Sequence, residues 1–290
     1  MHGAAWLRAT QRRVTIQLSQ FETPASSGGG SRPSLTVFFP AFNDAETLPA
    51  LIAKAAETLQ DLAQDYEIVV VDDGSTDSTP QVLAGLQRQY PFLRVVRHPR
   101  NLGYGAALRS GFSSATKQLV CYTDGDGQYD IGELRELFAR LEADVDVVNG
   151  YKLERADPLH RTLIGKVYQR LTRALLNLKV RDVDCDFRLM RRPVLDAVSL
   201  TFRSVAICAE LIAQIERAGF RTVEVPVHHY PRRSGQSQFF RFAPVARTIF
   251  DIFRLWVRLI ILRRGPSRVP RRGQQDRAIK SAEVQPVERR

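Results

Sequence analysis

The chain has 290 residues, of which 44% are hydrophobic and 25% charged, with a net charge of +11. That is room for one large domain or two small ones, with enough apolar surface to bury a core without disulfides or structural metals. Cys121, Cys185 and Cys208 form no CxxC pair, which argues against a disulfide scaffold, a zinc ribbon and secretion.

Arg8, Arg12 and Arg13 interrupt the N-terminal region, so no signal peptide is expected, and no run of about 18 apolar residues offers a simple membrane span. The charge is uneven: residues 34–150 carry −8 and residues 151–262 carry +10. An acidic front half and a basic back half suggest a cation on one side of a site and phosphates on the other. The 36 arginines against 6 lysines suit bidentate phosphate recognition and equally suit a codon-biased genome.

Residues 1–33 read as a disordered extension that ends in a Ser/Gly linker over 22–34. Short apolar strands are then expected at Leu35–Phe39, Glu67–Val71, Leu93–Val96, Leu119–Tyr122 and Val145–Val148. Leu48, Leu51, Ile52, Ala55, Leu59 and Leu62 fall at helical spacing between the first two. Further helices are expected after Asp77, over Gly105–Ser114 and over Ile131–Leu141. Strand alternating with helix predicts an α/β fold with a mostly parallel sheet flanked by helices.

Open α/β sheets bind ligands at the carboxyl ends of their strands. Four polar or glycine-rich clusters would meet there: Pro40-Ala-Phe42-Asn43-Asp44, Asp72-Asp73-Gly-Ser-Thr-Asp77, Asn101-Leu-Gly103-Tyr-Gly105 through Arg109, and Asp124-Gly-Asp126-Gly-Gln128. In the last, alternate residues can turn two carboxylates and an amide oxygen toward Mg²⁺ or Mn²⁺ shared with substrate phosphates. An Asp-Gly turn before a helix capped by Asp130 is the plainer reading. Asp72 or Asp73 can accept from a base or ribose, while Asp77 caps the helix that follows.

Farther on, Asp182 to Arg192 mixes carboxylates with arginines. It reads as a strand with charged edges or as part of a site. His228 and His229 are more plausible as structural residues at a strand end. Arg232-Arg233-Ser-Gly-Gln-Ser237 suits a phosphate or a mobile basic loop. A helix over 242–262 is apolar except for a stripe of Arg247, Asp251, Arg254 and Arg258. It fits an interface helix on anionic lipid, with core or dimer packing as the alternative. Residues 263–290 read as a disordered basic tail. No nucleic-acid motif appears, so no nucleic-acid partner is expected.

The four clusters, with Phe-Arg188-Leu-Met-Arg-Arg192, Glu224-Val-Pro-Val227 and Arg233-Ser-Gly-Gln-Ser237, resemble the inverting family 2 glycosyltransferases of the GT-A fold over residues 35–240. Within that family they look like the polyprenyl-phosphate mannosyl- and glucosyltransferase branch. The resemblance implies a GT-A domain over 34–240 and transfer of a hexose from a nucleotide-diphospho-sugar to a polyprenyl phosphate. It implies a peripheral enzyme at the cytoplasmic membrane face, with a glycan, lipid or envelope hydroxyl as the alternative acceptor. Pro40, Phe42, Asn43, Asp44, Asp72, Asp73, Gly103, Arg109 and Asp124 would bind the nucleotide sugar. Asp124, Asp126 and Gln128 would hold the metal. Arg188, Arg232, Arg233 and Ser237 would face phosphates, with Asp126, Asp186 and Arg188 catalytic. Phe42 stands where the family often has Tyr, and Asp186 where the mannosyl enzymes commonly have Gly.

Overall fold

The computed structural model describes residues 32–153, 159–231, 242–267 and 269. The expected N-terminal extension and basic tail lie almost wholly outside the described residues, as do Arg232, Arg233 and Ser237.

The elements in chain order are β1 (Leu35–Ala41), α1 (Leu48–Leu62), β2 (Tyr66–Asp72), α2 (Thr79–Gln89), β3 (Leu93–Arg97), α3 (Tyr104–Ser114) and β4 (Leu119–Tyr122). After a 3₁₀ turn at Ile131–Glu133 come α4 (Leu134–Ala139), β5 (Val147–Lys152), α5 (Leu159–Leu176), β6 (Arg188–Arg191), α6 (Arg192–Ala197), α7 (Ala206–Ala218), β7 (Thr222–Val227) and α8 (Phe242–Trp256), which runs into a π turn at Val257–Ile261. The seven strands form one sheet in the order β3-β2-β1-β4-β6-β5-β7. The first four are parallel, β6 is antiparallel to both β4 and β5, and β7 is parallel to β5.

The continuous apolar runs of β1 and β2 reflect burial on both sheet faces. One face packs on α1 through Leu48, Ile52, Ala55 and Leu59, together with Ile131, Leu134 and Leu137. The other packs on α3 and α7, and Ile252, Leu255 and Leu259 bring α8 and its π turn into the same cluster. Pro49 and Pro80 sit in the first turns of α1 and α2, where a missing N–H costs nothing. Ser78 is the N-cap of α2, and Asp77, expected to cap it, stands one residue earlier and accepts from Thr79 N–H at 2.9 Å. Asp130 likewise accepts from Gly132 N–H at 2.8 Å.

The 242–262 helix does pack on the core, so its polar stripe is not simply a water face. Asp251 accepts from Ser204 Oγ at 2.7 Å, and Arg258 reaches the fully buried Glu210 at 2.7 Å. A second apolar face remains open: Ile249, Phe250 and Phe253 are 62%, 59% and 56% exposed. The neighbouring helix α5 also exposes Val167, Leu171 and Leu175, one helical face at spacings of four. Among the described residues no helix is long and apolar enough to cross a membrane.

Candidate active site

The loops after β1, β2, β3 and β4 converge at the carboxyl edge of the sheet, as expected. The first two are laced together. Asn43, at a positive φ of 59°, accepts from Thr76 N–H at 2.8 Å, and its own N–H reaches Ser75 Oγ at 2.9 Å. Asp44 accepts from Phe42 N–H at 2.9 Å and donates its own N–H to Thr79 Oγ1 at 3.0 Å. The β1 loop is tied to the β4 loop by Gly125 N–H on the Pro40 carbonyl at 3.1 Å, and by Thr47 Oγ1 on the Gly125 carbonyl at 2.9 Å.

Between the first three loops lies an open cleft of about 630 Å³ lined by Phe42, Gly74, Ser75, Thr76, Arg97, His98, Pro99, Arg100 and Asn101. An aromatic ring, hydroxyls and guanidinium donors suit a flat heterocycle with carbonyl acceptors. Asp72 and Asp73 sit behind this cleft. Asp72 is fully buried; it accepts from Ser75 N–H at 2.8 Å, and its Oδ2 lies 3.3 Å from Arg97 Nε without hydrogen-bond alignment. Asp73 meets His98 Nδ1 at 2.6 Å and accepts Leu102 and Gly103 N–H, both at 2.9 Å. Both carboxylates therefore shape the loops that line the cleft. His98, which also meets Ser110 Oγ at 2.8 Å, gave no signal in the sequence beyond its place after β3.

Gly103 and Gly105 serve close packing. Gly103 has φ of +97°, and a Cβ there would stand 2.9 Å from the Arg203 carbonyl oxygen; one at Gly105 would stand 2.5 Å from that of Phe202. The loop before α7 thus lies directly on the start of α3. Arg109 is exposed on α3 and extends to the Thr201 carbonyl at 3.5 Å.

The second half of the site is acidic. Asp124 accepts from Tyr104 OH at 2.9 Å. Asp126 accepts from Gln128 N–H at 3.0 Å. Gln128 is bound on both sides to Tyr230: its Nε2 donates to the Tyr230 carbonyl at 3.0 Å, and its carbonyl accepts Tyr230 N–H at 2.8 Å. Burial, followed by repulsion from Asp186 and Asp126, holds the Asp124 carboxyl well above the usual carboxylate range. Burial and Asp124 in turn keep the Tyr104 phenol protonated as a donor. Among the described residues no group of three or more His, Cys, Asp or Glu side chains is placed to hold a metal ion. Two carboxylates and an amide, those of Asp124, Asp126 and Gln128, would hold Mg²⁺ or Mn²⁺ with waters and substrate phosphates completing its shell.

Lys152, at the end of β5, brings a positive charge to this cluster and was missed in the sequence. Its ammonium donates to the Asp184 carbonyl at 2.8 Å and lies 5.9 Å from the Tyr129 ring centroid. Burial works to lower its pKa, but Asp182, Asp186 and Asp184 outweigh that and raise it.

Arg188 differs from the expectation that it faces a phosphate. It is fully buried, and its register opposite Tyr122 across β4–β6 turns it into the interior. It donates to Asn149 Oδ1 at 2.5 Å, the Val183 carbonyl at 2.5 Å and the Tyr122 hydroxyl, and lies 3.8 Å from Asp186. It therefore supports Asp186 from behind, as does Cys208, whose Sγ donates to Asp186 Oδ1 at 3.1 Å. Arg191 and Arg192 are structural too, bonding the carbonyls that close α4 and α3.

The family model for glycosyl transferase family 2 matches residues 36–199, more than half of the chain and all four loop clusters. The chain belongs to glycosyl transferase family 2. This glycosyltransferase shares its fold with solved structures that are far from it in sequence. A glucosyl-3-phosphoglycerate synthase from Mycobacterium tuberculosis, in complex with Mn²⁺, UDP-glucose and phosphoglyceric acid, is 18% identical with a TM-score of 0.60; the match covers 78% of this transferase and 79% of that chain. A mannosyltransferase from Pyrobaculum calidifontis, in complex with GDP-mannose and Mn²⁺, is 22% identical with a TM-score of 0.57, covering 78% and 65% respectively. These likenesses establish the GT-A architecture for the transferase: a mostly parallel sheet flanked by helices.

Proposed function

We propose that the transferase moves a hexose from a GDP-mannose- or UDP-glucose-type donor to the phosphate of a polyprenyl lipid at the cytoplasmic face of a membrane. The observation that carries the reading is the placement of Asp124, Asp126 and Asp186 beside Lys152, at the sheet edge next to the nucleotide-sized cleft. Phe42, Ser75, Thr76, Arg97 and Arg100 receive the base and ribose, and Asp44, Asp72 and Asp73 hold the loops that carry them. Asp124, Asp126 and Gln128 hold Mg²⁺ or Mn²⁺. When bound, that ion neutralises charge on the departing diphosphate. Both solved relatives described above carry Mn²⁺ with a nucleotide sugar, which supports the assignment.

Transfer is one displacement. An acceptor oxygen bonds to the anomeric carbon from the face opposite the leaving group, and the electrons of the breaking bond stay on the diphosphate. A phosphate acceptor is already an anion and needs no general base; Lys152 pairs with it. Asp186, fixed by Cys208 and Arg188, sets the rear wall. The open apolar faces of α8 and α5 support a lipid chain and a membrane surface. A second reading is a hydroxyl acceptor on a glycan, lipid or small acid. It draws on the phosphoglyceric acid bound by the mycobacterial synthase and on Asp186, which would then take the proton.

The test is product analysis by mass spectrometry with the full chain, Mn²⁺, both donors, and undecaprenyl phosphate or 3-phosphoglycerate. Sugar on the lipid phosphate is expected, and Asp126→Ala should reduce it about a hundredfold or more while the melting temperature holds. Sugar on phosphoglycerate alone refutes the lipid reading. Full activity of Asp126→Ala refutes the metal assignment. The chain should also sediment with anionic liposomes, and Phe250→Ser with Phe253→Ser should release it.

A further inference from the structure

We infer that Tyr104 is a positioning residue for the metal-binding carboxylate of Asp124, and that through it the start of α3 joins the nucleotide cleft to the metal site. This rests on the metal reading above. The phenol donates to Asp124 Oδ1 at 2.9 Å, and the other Asp124 oxygen accepts no hydrogen bond from the described residues. Asp124 stands among like charges from Asp126 and Asp186. Without an anchor the carboxylate would rotate away from them and from a shared cation.

The anchor is itself fixed. Tyr104 is the first residue of α3, and the backbone around it has little freedom. Gly103 N–H is held by Asp73 Oδ2 at 2.9 Å, and the Gly103 carbonyl accepts Ala106 and Ala107 N–H at 2.9 and 3.1 Å. Gly105 N–H is held by the Arg203 carbonyl at 2.9 Å. Asp73 in turn is bound to His98, which lines the nucleotide cleft. A ligand in the cleft that orders the β3–α3 loop therefore also orders the phenol. Cation and nucleotide should bind with positive cooperativity beyond their direct contact.

The test uses the full chain and Tyr104→Phe, which keeps the ring in its core packing but removes the donor. Free Mn²⁺ is titrated by electron paramagnetic resonance in the presence of UDP, and again with GDP. The variant is expected to bind Mn²⁺ about tenfold more weakly in whichever nucleotide supports binding, the size seen when an outer partner of a ligand is lost. A merely structural role lowers the melting temperature of the metal-free protein and leaves the Mn²⁺ affinity alone. A variant affinity within twofold of wild type overturns this inference while the metal reading stands. A wild-type chain that binds no Mn²⁺ with either nucleotide overturns both.

Discussion

Glu210 is the residue on which the back of the site hangs, and its removal should be costly. It lies in α7 with no exposure and accepts four hydrogen bonds: Thr201 N–H at 2.8 Å, Phe202 N–H at 3.1 Å, Thr201 Oγ1 at 2.8 Å and Arg258 Nη2 at 2.7 Å. Glu210→Ala leaves two backbone donors and a hydroxyl facing a cavity. At about 1–2 kcal/mol for each stranded group, the expected loss is about 4 kcal/mol. Arg258→Ala should cost far less, about 1 kcal/mol, because its side chain is 31% exposed and Glu210 keeps its other three donors. The double variant should show a coupling of about 1 kcal/mol. Urea unfolding of the four proteins reads all three numbers. Because the 201–203 loop lies on Gly103 and Gly105, Glu210→Ala should also lose more sugar transfer than its unfolded fraction accounts for. A Glu210→Ala cost below 1 kcal/mol would show that the four contacts are not what holds the loop, and the link from α8 to the site would fail with it.

Two further expectations concern the charged groups around the cleft. Lys152→Met should raise the KM for an anionic acceptor about tenfold with little change in the KM for the donor, since it removes a charge-assisted contact to one substrate only; equal effects on both substrates would place Lys152 with the diphosphate instead. His228 meets Glu133 at 2.5 Å with Glu136 and Asp130 near by, and its bond to Glu133 raises its pKa above 6.5. That pair stabilises the protein below pH 6.5 and its contribution is lost as pH rises through the elevated value. Melting temperature should therefore fall more over that window in wild type than in His228→Gln, and parallel pH profiles would dismiss the pair as inert.

The first half of the sheet was legible because parallel strands buried on both faces leave continuous apolar runs. The expected Leu35–Phe39, Glu67–Val71, Leu93–Val96 and Leu119–Tyr122 each lie within one or two residues of β1 to β4. The second half obeyed other rules. The strand expected at Val145–Val148 is β5 at Val147–Lys152, and its later start and polar end hid Lys152. β6 is only four residues and antiparallel, with arginine at both ends. α7 is buried nearly all round, Glu210 and Gln214 included, so its polar positions do not mark an outer face. Of the candidate site residues, those on the four loops were found because glycines and carboxylates mark strand ends. What the motifs did not show is which carboxylates face ligand and which, like Asp73, face the chain. Arg188 shows the same limit: an arginine beside aspartates suggests phosphate, but only the pairing with Tyr122 across β4–β6 reveals that it points into the core.

The C-terminal helix carries this point furthest. A helix that is largely apolar apart from one narrow charged stripe admits two simple arrangements, stripe to water or stripe to protein. The chain divides the stripe: Asp251 and Arg258 turn to Ser204 and Glu210, while Arg247 and Arg254 stay exposed. Ile252, Leu255 and Leu259 flank that seam and fill the core, each contributing about 2 kcal/mol by burial. The helix is then too apolar to be finished by one interface. Its remaining face, with Ile249, Phe250 and Phe253, stays exposed. Folding alone does not require that surface to be apolar. Its apolarity is therefore the part of the helix that calls for an explanation from function, and the lipid acceptor proposed above would supply one.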